Sequence, residues 1–154
     1  MSKIDIENIS IVSDVLSNLH PDNQVIFGMM TPQHMVEHLI TTFQISTEKI
    51  QIEMMFPTEI AQKIRFAVII SENEIPIGFK VPFMPKETPM PLKYVSLKSA
   101  IEILKIELAY FKDYFNQNPA RKTMNPSMGE LNFDEWLIFH NKHFTHHFKQ
   151  FDLV

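Results

Sequence analysis

WLIFHNKHFTHHFKQF, residues 136–151, holds four of the seven histidines of the chain. At about 100° per residue on an α-helix, Trp136, His140, His143, Phe144, His147 and Phe151 fall on one stripe. The aromatic members of that stripe demand a core, so the helix must pack inward along it. His143 and His147 stand four apart and converge on one point. His146 lies off the stripe, among Lys142, Lys149 and Gln150. An imidazole carried inward must be hydrogen-bonded or must bind something.

A second pair with the same spacing lies upstream. Thr31 and Pro32 read as cap and first position of a helix reaching about Thr47, with Met35, Leu39, Thr42 and Phe43 on its apolar face. His34 and His38 adjoin that face, with Glu37 beside them. Which of the two turns inward is open at this stage. Six of the seven histidines therefore sit in two helical segments.

The rest of the chain supplies partners for these helices. Residues 5–19 read as a first helix capped by Asp5, with Ile9, Val12, Leu16 and Leu19 at helical spacing. His20-Pro21 ends it, and a loop over 22–30 carries Phe27-Gly28. Residues 58–70 read as a short helix capped by Thr58, although Phe66 to Ile70 would also suit a strand. From about 72 to 95 runs a long connection with Pro76, Pro82, Pro85, Pro89 and Pro91, which can continue neither a helix nor a central strand. Ile77, Phe79, Val81, Phe83 and Met84 suggest that it packs on the body. Ser96 then caps a helix to about Gln117, with Leu97, Ala100, Ile101, Leu104, Leu108, Phe111 and Phe115 inward. Residues 119–131 read as a loop, and Asn132 with Glu135 opens the last helix as a capping box. The expectation is a single all-α domain over 1–154, a helix bundle with a long Pro-rich connection between its second and third main helices.

Composition narrows the chemistry. At 154 residues with 45% apolar and 21% charged residues, the chain suits a soluble globular domain with a good core. A net charge of −4 gives no general attraction to nucleic acid or to an anionic membrane. With no cysteine there is no disulfide, no thiolate nucleophile and no Cys-ligated zinc or cluster. Three glycines and no GxGxxG or P-loop pattern argue against a phosphate-cradling loop. MSKIDIENIS has no apolar signal core, which gives a cytoplasmic expectation.

Two inward imidazoles on one helix and a third from another make a divalent-metal site with an open position. Zinc takes such a set, and nickel, iron and manganese also accept imidazole. Against this stands a bland reading, in which each histidine is satisfied by a carbonyl, a carboxylate or water. Trp136 reads as a core anchor whose N–H reaches a loop carbonyl. Glu37 reads as a solvated helix-face residue and Glu135 as a cap; either could orient an imidazole. Lys142, Lys149, Arg121 and Lys122 form a modest basic scatter suited to solubility.

TPQHMVEHL over 31–39, NPSMGELNFDEW over 125–136 and HNKHFTHHFKQF over 140–151 together resemble the DinB-like superfamily, in an uncharacterised bacterial branch. The resemblance spans essentially the whole chain. It implies an up-down four-helix bundle and a metal held by His38 of the second helix with His143 and His147 of the last. Gln150 stands where such sequences often carry a glutamine after the pair. The chain departs from the pattern at Asn125 and Met128, where the branch commonly has His and Phe. The activity the resemblance implies is that of a metal-dependent transferase or isomerase using a low-molecular-weight thiol; the three-His centre itself, by activating a water or a thiol, suits hydrolysis or group transfer on a small molecule. His34, His140 and Glu37 are then candidates for proton transfer or ligand support. The alternative is a non-catalytic bundle that works as a homodimer or binds a small ligand.

Overall fold

A computed structural model of the chain describes residues 3–76 and 90–154. Helices dominate these residues: α1 (Ile9–Ser17), α2 (Pro32–Ser46), α3 (Thr58–Arg65), α4 (Leu97–Asn116) and α5 (Phe133–Gln150). Two three-residue strands, β1 (Thr123–Asn125) and β2 (Gly129–Leu131), pair antiparallel. Most of the Pro-rich connection, with Ile77, Phe79, Val81, Phe83 and Met84, lies outside the described residues. No helix among those described is long and apolar enough to cross a membrane.

Local chemistry sets most helix starts. The Thr31 hydroxyl accepts from the His34 amide, and the His34 ring returns to Thr31, closing a capping box at α2. Ser96 caps α4 through the Ser99 amide. Asn132 and Glu135 cap α5 reciprocally. The start of α1 differs from the expectation. Asn8 caps it, while the Asp5 carboxylate accepts from the Glu7 amide and the Asp5 carbonyl from the Asn8 amide. Residues 4–6 lie against α5: the Ile4 amide donates to Thr145 Oγ1 and the Ile6 amide to Asn141 Oδ1. Ile4 and Ile6 are buried at a spacing of two, a strand-like alternation that a helix would break.

Residues 58–70 are helical throughout, as expected, but the cap position is Pro57 and no side chain bonds there. From Phe66 to Ile70 the helix widens to a π turn. Lys142 holds its end, its ammonium donating to the carbonyls of Val68 (2.6 Å) and Ser71 (2.7 Å). This residue is thus a brace between elements and not part of a solubilising scatter. The loop expected over 119–131 contains the β1–β2 hairpin. Asn125 Oδ1 accepts from the amides of Ser127 and Met128, and Gly129 takes φ +88°, which L side chains rarely adopt.

α2 packs chiefly on α4, and α5 closes on α2 and on the π turn. Contacts run in opposite order along α2 and α5. His38 meets His143 and His147; farther along, Phe43 meets Phe144 and His140, and Ser46 meets His140. The two helices are therefore antiparallel. Phe43, Phe111, Phe115, Trp136, Phe144 and Phe148 form the buried aromatic centre. That centre ends where the histidines begin.

Candidate metal centre

His38 comes from α2, and His143 and His147 come from successive turns of α5. The stripe expected on α5 is the buried one: Trp136, His140, His143, Phe144, His147 and Phe151 all face inward. His38 Nε2 lies 2.9 Å from His143 Nε2, and His143 Nε2 lies 3.0 Å from His147 Nε2. All three donor atoms fall within 4.8 Å of one another. The rings are inclined to one another by 71–76°, with centroids 4.5–4.8 Å apart, so three edges meet like the blades of a propeller. Among the described residues this is the one group of three or more metal-capable side chains that converge.

The surroundings keep these imidazoles neutral. His143 is 8% exposed and His147 is 6% exposed; His38 is partly exposed. Burial pushes His38 from its ordinary 6.5 down to about 4, with a smaller contribution from His146. Burial, reinforced by the neighbouring histidines, holds His143 and His147 well below the usual range. Neutral imidazole is the form that binds a metal.

Protons alone do not satisfy the three nitrogens. His147 Nδ1 lies 2.6 Å from Gln150 Oε1, and the Gln150 amide nitrogen donates to the Phe27 carbonyl at 3.3 Å. A carbonyl only accepts, so the amide orientation is fixed, Oε1 accepts, and His147 Nδ1 carries the proton. His147 Nε2 is then a bare lone pair. A proton on His143 Nε2 cannot point at both neighbours along good lines. With that nitrogen bare, His143 and His147 oppose two lone pairs. A cation at the centre removes the conflict. Two nitrogens about 2.0–2.1 Å from one tetrahedral zinc stand about 3.3–3.4 Å apart, so the two short contacts need to open by only about 0.4 Å.

The remaining histidines fall elsewhere. His34 belongs to the α2 capping box. His140 is fully buried against Phe43, Phe111 and Trp136. His146 packs beside Phe27, outside the trio. Neither His34 nor His140 is placed to move protons at the trio. Glu37 differs from the solvated residue expected. It is 8% exposed and accepts from the amides of Lys93 (2.7 Å) and Tyr94 (3.2 Å) and from Gln33 Nε2 (2.9 Å). Glu135 is the expected cap and also pairs with Arg65. Trp136 anchors the core as expected, but its N–H meets the Thr123 hydroxyl at 2.8 Å and not a carbonyl. Phe27 was visible only as part of a loop; the cue to its role is the three-residue step from His147 to Gln150, which places an amide over the imidazole.

No protein-family model, curated protein or solved structure matches the chain.

Proposed function

We propose that His38, His143 and His147 hold one divalent metal ion, zinc or nickel before iron or manganese, in a centre that serves hydrolysis or thiol-dependent transfer on a small molecule. The observation that carries this reading is the meeting of three Nε2 atoms, those of buried His143 and His147 and of partly exposed His38, two of the contacts at 2.9 and 3.0 Å. An ion with three protein ligands keeps a position for a further ligand, where it would act as a Lewis acid and lower the pKa of a water or thiol. Among the described residues the chain supplies three neutral ligands and no carboxylate to that group. Phe139 stacks on the His143 ring at 5.0 Å and gives the site an apolar wall. The antiparallel α2–α5 pair, with ligands facing inward from both helices, supports placing the chain with DinB-like four-helix bundles.

Elemental analysis of protein purified without a histidine tag tests the metal. About one ion per chain is expected, with none in a His143→Ala, His147→Ala double variant. Parent protein that stays metal-poor after incubation with zinc and with nickel sinks the reading and favours a non-catalytic bundle. If metal is present, hydrolase and thiol-transfer screens with and without a chelator follow.

A further inference from the structure

The loop over 22–30 touches α5 at Gln150, and it does so three times over. The Ile26 amide donates to the Gln150 main-chain carbonyl at 2.7 Å. The Phe27 carbonyl accepts from Gln150 Nε2 at 3.3 Å. Gly28 then passes so close that a Cβ there would stand 2.9 Å from Gln150 Nε2, and its φ of +86° is one that side chains rarely allow. Glycine at 28 thus fits both the turn and the approach. Phe27 also lays its ring 5.4 Å from that of His146, the neighbour of His147.

We propose that this loop, acting through Gln150, fixes the proton of His147 on Nδ1 and so aims a bare Nε2 at the centre of the trio; Gln150 is a positioning residue for the metal site, and the proposal's metal arm rests on the metal reading given above. Which nitrogen of a histidine is protonated is set by the hydrogen bond the other makes. Here that choice passes along a chain of three groups. The Phe27 carbonyl has no proton to give, so it takes one from the Gln150 amide. The amide then presents its oxygen to His147 at 2.6 Å. A flipped amide would set oxygen against the Phe27 carbonyl and an N–H₂ group against Nδ1, putting the imidazole proton on Nε2, where a metal ligand needs a lone pair. His143 has no such brace: its Nδ1 is buried without a partner. The orientation of the α5 pair therefore depends on the His147–Gln150 link.

The test reads the tautomer and the affinity separately. Long-range ¹⁵N–¹H spectra of the metal-free protein are expected to show His147 protonated at Nδ1. Gln150→Leu is expected to move that proton toward Nε2 and to weaken zinc binding, by chelator competition, about ten- to a hundredfold. Gln150→Glu, which keeps an acceptor for Nδ1–H, is expected to keep the tautomer and most of the affinity. Gly28→Ala should act in the same direction as Gln150→Leu while leaving α5 itself unchanged, and it carries the variant arm if Gln150→Leu does not fold. A wild-type proton on Nε2 overturns the proposal with no variant needed. So does a folded Gln150→Leu protein with zinc affinity within about twofold of the parent. A parent that binds neither zinc nor nickel defeats the metal reading and with it the metal arm of this proposal; the spectrum still decides whether the loop sets the tautomer.

Discussion

His140 and His143 share one face of α5, three residues apart, and meet different chemistry. His140 Nε2 lies 3.3 Å from the Ser46 hydroxyl, whose own proton goes to the Phe43 carbonyl at 2.7 Å. His140 therefore donates from Nε2 and leaves Nδ1 a bare, unpartnered acceptor. Burial pushes its pKa from 6.5 to about 3. Unfolded chains protonate this residue below 6.5 and the native state does not, so stability is full above 6.5 and falls as the pH drops toward 3. The slope for one such group is about 1.4 kcal/mol per pH unit. Urea unfolding of metal-free protein between pH 7 and pH 4 should show this loss, and His140→Gln should flatten it by about one proton. An unchanged slope in the variant would remove His140 from the account. Thr123 is a second residue with a readable cost. Its hydroxyl accepts from Trp136 Nε1 and donates to the Ser46 carbonyl, each at 2.8 Å. Thr123→Val leaves a buried indole N–H unpaired and should cost about 1–3 kcal/mol by denaturant midpoint, with Thr123→Ser near the parent. Equal losses in the two variants would point to packing and not to the hydroxyl. Periodicity marks His140, His143 and His147 as inward alike; what each one meets is decided by α2, about a hundred residues away, and no local pattern carries that.

Elements were legible where their ends depend on neighbours in sequence. Thr31, Ser96 and Asn132 cap their helices with amides three residues on, so the signal and the bond share one short stretch. The start of α1 was not legible, because Asp5 and Asn8 are both competent caps and the choice is made by Thr145 and Asn141 capturing the Ile4 and Ile6 amides. The hairpin was invisible for another reason: three-residue strands are too short to show alternation. Glu37 is the instructive miss. On a helical wheel it looks like a solvated acid, yet its carboxylate receives two main-chain amides from the segment that leads into α4, 56 and 57 residues later. This makes Glu37 the tie between α2 and that segment. Glu37→Gln offers one acceptor oxygen in place of two and turns an N–H₂ group toward donors. Amide exchange at Lys93 and Tyr94 should quicken, with a global loss of about 1–3 kcal/mol, while the middle of α4 keeps its protection. Unaltered exchange at those two amides would show that the segment is held by something other than the carboxylate.

Across the whole molecule, α2 and α5 meet at two levels with opposite characters. At one, Phe43, Phe111 and Trp136 enclose His140 in an aromatic core, with Phe144 against Phe43. At the other, His38 faces His143 and His147 with lone pairs and little else. The first level holds the helices together by burial, which needs no ligand. The second gains only when a cation arrives, and two buried neutral imidazoles facing a partly exposed third are a poor use of core space without one. Metal binding should therefore stabilise the protein chiefly at one end of the α2–α5 pair. With zinc at about a hundred times its dissociation constant the gain is about 2.7 kcal/mol, visible as a rise in the thermal midpoint that a chelator reverses. Hydrogen exchange should locate it: added protection in the N-terminal half of α2 and the C-terminal half of α5, and little change in the β1–β2 hairpin. In His38→Ala the α5 pair remains but cannot reach across, so residual binding should protect α5 alone. Protection spread evenly over the chain, or centred away from these two half-helices, would mean that the ion binds elsewhere and that the trio has another use. The two-level arrangement makes these results separable, because the aromatic level keeps the helices in register whether or not the histidine level is filled.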